Sequence, residues 1–324
     1  MLKYVGVIAV VLSSLAVMSC DNEIDLVEFG EDIPVVYGLL GVSDTAHYIR
    51  VERSFIDETT SALVLADDPD NFFYEDLQVL MTNEATGTTV ELTRVDGNED
   101  GYPREDGVFA ESPNFLYKVV ADDFALASEE DISLDVRLSD ESIATATTVV
   151  IENATLIKPA VNRPSSQFNA ANPAGIEVQF RHPQDDLVFD VTIVLTVSES
   201  GLTKEVTIPV AQGTTEDNFD YPLESFYSQV RSAFIDGPAV SRRLISARFE
   251  LTASGEELSD FLRVKTANLG ITSSQEPPRF TNIEGGFGVF SSRSKLTTRE
   301  LAPTTLTLDS LANGVFTRGL GFTF

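Results

Sequence analysis

Apolar and polar residues alternate with a period of two through most of this chain. An apolar run, residues 35–40, follows Pro34, and residues 41–45 read as a turn. Ile49, Val51 and Phe55 then share one face of a second strand, which Arg53 interrupts. Leu77, Val79 and Met81 alternate with Gln78 and Thr82, and residues 83–87 form a hairpin loop into Val90 and Leu92. Phe115, Tyr117 and Val119 alternate next. Ile132, Leu134, Val136 and Leu138 follow against Ser133, Asp135 and Arg137, and residues 145–151 are a β-branched run. Strict alternation with polar opposite faces is the mark of half-buried strands in antiparallel sheets. Seven such runs between residues 34 and 157 predict a β-sandwich of the immunoglobulin or transthyretin kind.

Residues 158–175 carry Pro159, Pro164 and Pro173 among Asn, Ser and Ala, the composition of a linker. Strand periodicity then resumes in a second β-rich domain, residues 176–299. Ile176, Val178 and Phe180 alternate, and the series Leu187 to Val197 is the longest strand signal in the chain. Val206, Ile208 and Val210 return across a Ser200-Gly201 turn. The period then lengthens. Leu223, Phe226, Tyr227, Val230 and Phe234 fit one face of a helix, with Asp220 as candidate cap and Gly237 at its end. Ile245 to Leu251 is strand again. Ser254 and Glu257 have capping-box spacing before a second short helix through Leu258, Phe261 and Leu262 that stops before Gly270. The fold class is therefore mainly β: a sandwich, then a β-rich domain with two short helices. Residues 300–324 read as a closing strand or strap.

The amino terminus has a different pattern. Lys3 precedes an apolar stretch, residues 5–17, and Ser19 precedes Cys20, the layout of a secretory signal peptide over residues 1–19. The uncharged run is shorter than the roughly 20 residues a membrane-spanning helix needs. Val17-Met18-Ser19-Cys20 resembles the bacterial lipobox, in which the cysteine receives a diacylglycerol and an N-acyl chain. Each buried methylene contributes about 0.8 kcal/mol, so two or three chains hold a protein on a bilayer essentially permanently. Cys20 is the only cysteine, so no intrachain disulfide forms. Residues 20–33 read as an acidic tether, similar to the export signals of surface lipoproteins in Bacteroidota-type bacteria. The expected location is the outer membrane, lipid-anchored, on its surface or its periplasmic face.

Charge narrows the partners. The chain has 51 acidic and 22 basic residues among 324, a net charge of −29. Cleavage after Ser19 removes Lys3 and leaves 21 basic residues, for a net −30. Such a surface repels phosphate backbones, which argues against nucleic acid.

Two stretches carry a family resemblance. Residues 276–290 (EPPRFTNIEGGFGVF) look like the near-carboxyl-terminal signature of a Bacteroidota family of outer-membrane lipoproteins, a domain of unknown function. Residues 34–40 (PVVYGLL), followed by 47–51 (HYIRV), are similar to its opening. The resemblance implies an envelope accessory role, because such proteins are often encoded beside TonB-dependent receptors. It carries over no catalytic residues. On their own, Gly285, Gly286 and Gly288 suggest a tight turn packed under Phe287 and Phe290.

Candidate chemistry is sparse. Asp96, Asn98 and Asp100, with Gly101, match the start of a calcium-binding loop, D-x-N-x-D-G, in which alternate oxygens converge on the ion. Position twelve is Gly107 where such loops carry Glu, and the flanks are strands, so an acidic turn is the competing reading. Residues 67–76 form a second oxygen-rich loop around Phe72-Phe73-Tyr74, rings that either tuck the loop onto the sandwich or form a contact patch. His47 and His182, the only histidines, fall in different domains, and zinc needs three or four convergent ligands, so both read as structural. Asp44-Thr45-Ala46 and Asp309-Ser310-Leu311 resemble a short O-glycosylation sequon, with unmodified turn residues as the plainer account. The expectation is a non-enzymatic, lipid-anchored protein without a cofactor, calcium excepted, that binds or scaffolds beside an outer-membrane receptor or transporter. A fimbrial subunit made from a lipoprotein precursor is one alternative; a hydrolase using a carboxylate pair is another.

Overall fold

The computed structural model describes residues 33–54, 60–184, 187–235, 240–267 and 280–324. The signal sequence, Cys20, the tether up to Asp32, Phe55, Gly237, Gly270 and residues 276–279 lie outside the described residues.

The alternating runs become strands β1 (Pro34–Leu40), β2 (Ala46–Arg53), β3 (Leu77–Asn83), β4 (Thr88–Glu91), β5 (Thr93–Asp96), β6 (Phe115–Val120), β7 (Asp131–Leu138) and β8 (Ile143–Val149). β9 (Thr155–Lys158), β10 (Ile176–Arg181), β11 (Val188–Glu199), β12 (Leu202–Thr214), β13 (Asn218–Tyr221), β14 (Arg242–Ser254) and β15 (Phe287–Thr297) complete them. Helices are α1 (Ala62–Ala66), α2 (Leu223–Phe234), α3 (Glu256–Ala267) and α4 (Thr305–Asn313). The run through Val90 and Leu92 is two strands. β4 pairs with β3, and after the buried Leu92 the chain crosses to pair β5 with β6 in the other sheet. No helix among the described residues is long and apolar enough to cross a membrane.

The molecule is mainly β, with an amino-terminal β-sandwich. Four strands in the order β4-β3-β7-β8 share a core with β1, β2 and β6; Val36, Ile49 and Val51 meet Met81, Ile132 and Leu134 there. A second core gathers Phe168, Phe180, Ile193, Phe226 and Phe249 between β11, β14, α2 and the three-stranded sheet β13-β10-β9. One eight-stranded sheet, β12-β11-β14-β15-β1-β2-β6-β5, runs through both.

β15 makes that continuity. Residues 287–292 pair in parallel with β1, and residues 293–297 pair antiparallel with β14. The two stretches that carried the family resemblance, some 250 residues apart in sequence, are thus hydrogen-bonded neighbours. Their glycines follow from this. Gly38 sits opposite Phe290, whose ring occupies the space a Cβ would need. Gly288 has φ +113°, and any Cβ there would overlap the Val36 carbonyl oxygen. The expected turn is real at Gly285, φ +75°, but Gly288 belongs to the strand and serves close backbone approach. Asn282 completes the device: its amide donates to the Phe290 carbonyl at 2.7 Å and accepts the Phe290 N–H at 3.0 Å.

Three other expectations are corrected. Residues 158–175 are not a free linker: Val161, Phe168 and Ala170 are buried in the second core, and the Arg299 guanidinium holds the carbonyls of Val161 and Arg163. The tail is not a strand but helix α4 followed by a strap, with Leu311 and Phe322 in the second core and Phe322 bridged to Arg242. Both predicted helices exist, but neither cap is as expected. Asp220 lies in β13, and α2 starts after Pro222. Ser254 ends β14; the Ser291 hydroxyl of β15 accepts the Leu258 N–H, and Glu257 accepts from Thr148 and Ser291. A partner strand caps α3 where a local side chain was expected.

Candidate functional site

β1 begins where β2 ends, and β6 and β15 begin, and β5 ends, at the same edge of the sandwich, because β2 and β5 run antiparallel to their neighbours and β15 runs parallel to β1. The chain enters the described fold at this end: the Ile33 carbonyl accepts the Ser54 N–H at 2.9 Å. Two long connections leave from the same edge, with described residues 60–76 and 97–114. The oxygen-rich stretch 67–76 lies in the first, and the calcium motif begins at Asp96, the last residue of β5, and runs into the second.

Arginines pin these loops to the sheet. Arg53 donates from Nε to the Asn71 carbonyl at 3.1 Å and from its terminal nitrogen to the Asp70 carbonyl at 2.6 Å. Arg94 lies 3.6 Å over the Phe115 ring and donates to the Glu75 carbonyl at 3.0 Å. Arg104 pairs closely with Glu52 and lies 5.3 Å over the rings of both Phe72 and Phe109. Phe72 and Phe73 are buried and stack at 4.6 Å, so the trio Phe72-Phe73-Tyr74 tucks its loop onto the sandwich. The loops are also joined to each other: the Ala110 N–H donates to the Ala66 carbonyl at 2.8 Å, and Phe109 meets Phe72 edge-on at 5.5 Å.

The calcium motif lies in the second loop, and its oxygens serve the loop itself. Asp96 Oδ1 accepts the N–H groups of Asn98 at 3.0 Å and Asn114 at 3.2 Å. Asn98 spans the loop, accepting from the Arg104 N–H at 3.0 Å and donating to the Glu111 carbonyl at 2.8 Å. Asp100 turns to the sheet, where Lys118 Nζ lies at 2.7 Å and the Tyr48 hydroxyl donates at 2.8 Å. The Lys118 and Tyr48 hydrogen bonds hold its carboxyl below the usual range, with slight opposition from desolvation. Three side chains facing N–H groups and an ammonium are not a cation's donor set. Among the described residues no group of three or more His, Cys, Asp or Glu is placed to hold a metal ion.

The remaining candidates are scattered. His47 is buried on β2, at the opposite end of the sandwich, with neither ring nitrogen hydrogen-bonded. His182 sits in the second half, its Nε2 2.6 Å from the Glu152 carbonyl and its Nδ1 accepting the Gln184 N–H at 3.1 Å, a structural role. Asp44 pairs with Arg293 at 3.1 Å beside an exposed Thr45, whereas Ser310 is inside α4 and not in a turn. A cavity of about 420 Å³ in the second half is lined by Leu156, Val161 and Arg299, whose guanidinium is already committed to carbonyls.

What the loop end offers beyond these bonds is surface. Leu63 and Val64 on α1 are 64% and 63% exposed, and Val108 is 57% exposed, with Tyr102 and an edge of Phe109 also open. The same two loops carry the exposed Asp67, Asp68, Asp70, Glu105 and Asp106. Sequence reading found the carboxylates and the rings but not the apolar surface, because Leu63, Val64 and Val108 follow no period. The two joined loops thus carry exposed apolar and exposed acidic side chains together.

No curated protein matches the chain at a significant level. The model of one family, described as Domain of unknown function (DUF4249), matches residues 21–299, which take in the first core, most of the second and the β1–β15 pairing between them. The chain belongs to that family.

Proposed function

We propose that this protein is a lipid-anchored, non-enzymatic component of the bacterial cell envelope, held in the outer membrane through acyl chains on Cys20. It acts there as a binding or scaffolding accessory to a receptor or transporter. The observation that carries this reading is Val17-Met18-Ser19-Cys20 at the end of an apolar signal segment, followed directly by an acidic stretch. The resemblance to Bacteroidota lipoproteins encoded beside TonB-dependent receptors supports the accessory role. Two features of the fold agree with it. Two of the less exposed carboxylates are engaged in structure, Asp100 with Lys118 and Glu257 with Thr148 and Ser291. The exposed Leu63, Val64 and Val108 support a contact role for the loop end.

The test is intact-mass analysis of the mature product together with a detergent phase partition. The expected product begins at Cys20, carries the mass of its acyl chains and enters the detergent phase; Cys20→Ala moves to the aqueous phase. A bare thiol in the aqueous phase would end the envelope reading.

A further inference from the structure

Apolar residues stand exposed elsewhere on the molecule, as at Leu202, Leu306 and Val315, and as Ile143 and Val149 at the two ends of β8. The end of the sandwich beside Ile33 differs in carrying Leu63, Val64, Tyr102 and Val108 on two loops joined to each other and pinned by Arg53, Arg94 and Arg104. The surface is held in place by the fold, as a recognition surface must be. Residues 60–76 and 97–114 hold ten acidic residues and one basic, so these loops carry a net charge of −9. Of the ten, Asp100 is neutralised by Lys118, and Arg104, the one basic residue, is spent on Glu52.

We infer that this loop end docks onto an integral membrane protein whose facing surface presents apolar side chains together with Lys and Arg. The inference rests on the reading that Cys20 is lipidated. Three arguments select this occupant. Twelve residues separate Cys20 from Ile33, and at about 3.3–3.6 Å per extended residue they reach roughly 40 Å at most. The chain joins the fold at the loop end itself, so the tether confines this surface to the neighbourhood of the bilayer. The acidic loops repel anionic phosphate headgroups, which disfavours the lipid surface, and match a cationic one. The exposed Leu63, Val64 and Val108 are the side chains over which a partner would exclude water and binding energy would concentrate.

The experiment uses the full-length chain in intact cells, with the photo-crosslinking residue benzoylphenylalanine placed at Leu63, Val64 or Val108. Leu306 and Val315, at least as exposed but in the other half, are the controls. The expected result is an adduct to one integral membrane protein from the loop positions, severalfold stronger than from the controls. That adduct should fade when Asp67, Asp68 and Asp70 are changed to Lys. Equal adducts at loop and control positions would overturn the inference, as would indifference to the charge reversal. A second arm tests the lipid alternative. Leu63→Cys, labelled with an environment-sensitive dye, is reconstituted in vesicles of phosphatidylethanolamine and phosphatidylglycerol. Unchanged emission is expected, and a blue shift would mean that bare lipid is the occupant. The anchor is scored separately by detergent partition of the same preparations. A lipidated chain without selective adducts defeats this inference alone; an unlipidated chain defeats the reading beneath it.

Discussion

The two ends of the amino-terminal sandwich are made by the same strands and finished in opposite ways. At the end away from Ile33, short turns close the strands with their own hydrogen bonds. Asn83 Oδ1 accepts the N–H groups of Ala85 and Thr86, and the Gly41 carbonyl accepts that of Asp44. The longest connection there, residues 121–130, is acidic too, yet it folds its apolar residues inward: Phe124 and Leu126 are buried in the first core. At the Ile33 end two loops of more than fifteen residues are anchored by arginines and rings, and they leave Leu63, Val64 and Val108 outside. A sandwich needs only the first kind of end. Since both ends are acidic, charge does not separate them. The difference lies in where the loops put their apolar side chains, and it is the ground for the contact role proposed for the Ile33 end.

The comparison breaks most completely at Gly288. Gly288→Ala drives a Cβ into the Val36 carbonyl and parts β1 from β15 at the Ile33 end. A loss of more than about 4 kcal/mol is expected, because backbone clash at a positive φ belongs to the severe class of substitutions. Urea unfolding reads it, and a midpoint near that of the unmodified protein would refute the close-approach account. Next is Phe72→Ala. Phe72 is fully buried between Phe73, Phe109 and the Arg104 guanidinium. Removing the ring should destabilise by about 3 kcal/mol. The loosening should also be uneven: hydrogen exchange should rise across residues 60–76 and 97–114 and stay unchanged at residues 121–130. Uniform exchange would mean that the loop end is not a separately held unit.

Much of this was legible in the sequence, for a physical reason. Alternation survives wherever a strand has one wet face, so β2, β7 and the long β11 were readable from Ile49, Leu134 and Ile193, and the helical spacing of Phe226, Tyr227 and Val230 located α2. Long-range pairing left no such trace. That β15 would divide itself between β1 and β14 depends on partners hundreds of residues away, and only the glycines at 38 and 288 hinted at it. Pro159, Pro164 and Pro173 suggested a linker because proline reports on backbone freedom, not on burial, and Phe168 decided the matter. The D-x-N-x-D-G spacing left two readings open for a related reason: side-chain oxygens that bind a cation and those that brace a turn have the same sequence, and the partner of Asp100, Lys118, lies eighteen residues on.

At the far end the expected effects are smaller. Asn83→Ala removes the acceptor of two turn N–H groups beside water, and a loss of about 1 kcal/mol is expected in urea unfolding. A loss as large as that from Phe72→Ala would mean that the short turns carry as much stability as the pinned loops, and the contrast between the ends would fail.

The finest test is His47, buried at the far end with neither ring nitrogen within hydrogen-bonding geometry of a partner. Burial pushes its pKa down. The nearby Asp44 carboxylate and the Phe124 backbone oppose this in part, and Arg293 reinforces it. The native protein therefore holds His47 neutral to a lower pH than the unfolded chain does, where imidazole titrates near about 6.5. Below that value the unfolded state binds the extra proton, so stability falls with pH until the lower native pKa is passed, and above it the contribution is complete. Replacing the ring by His47→Leu should leave stability at pH 7.5 close to that of the parent and lessen the loss between pH 6.5 and pH 5. Urea midpoints of the two proteins at both pH values decide it. Parallel declines would show that the buried imidazole is protonated in place, and then the short end would also hold a charge in its core.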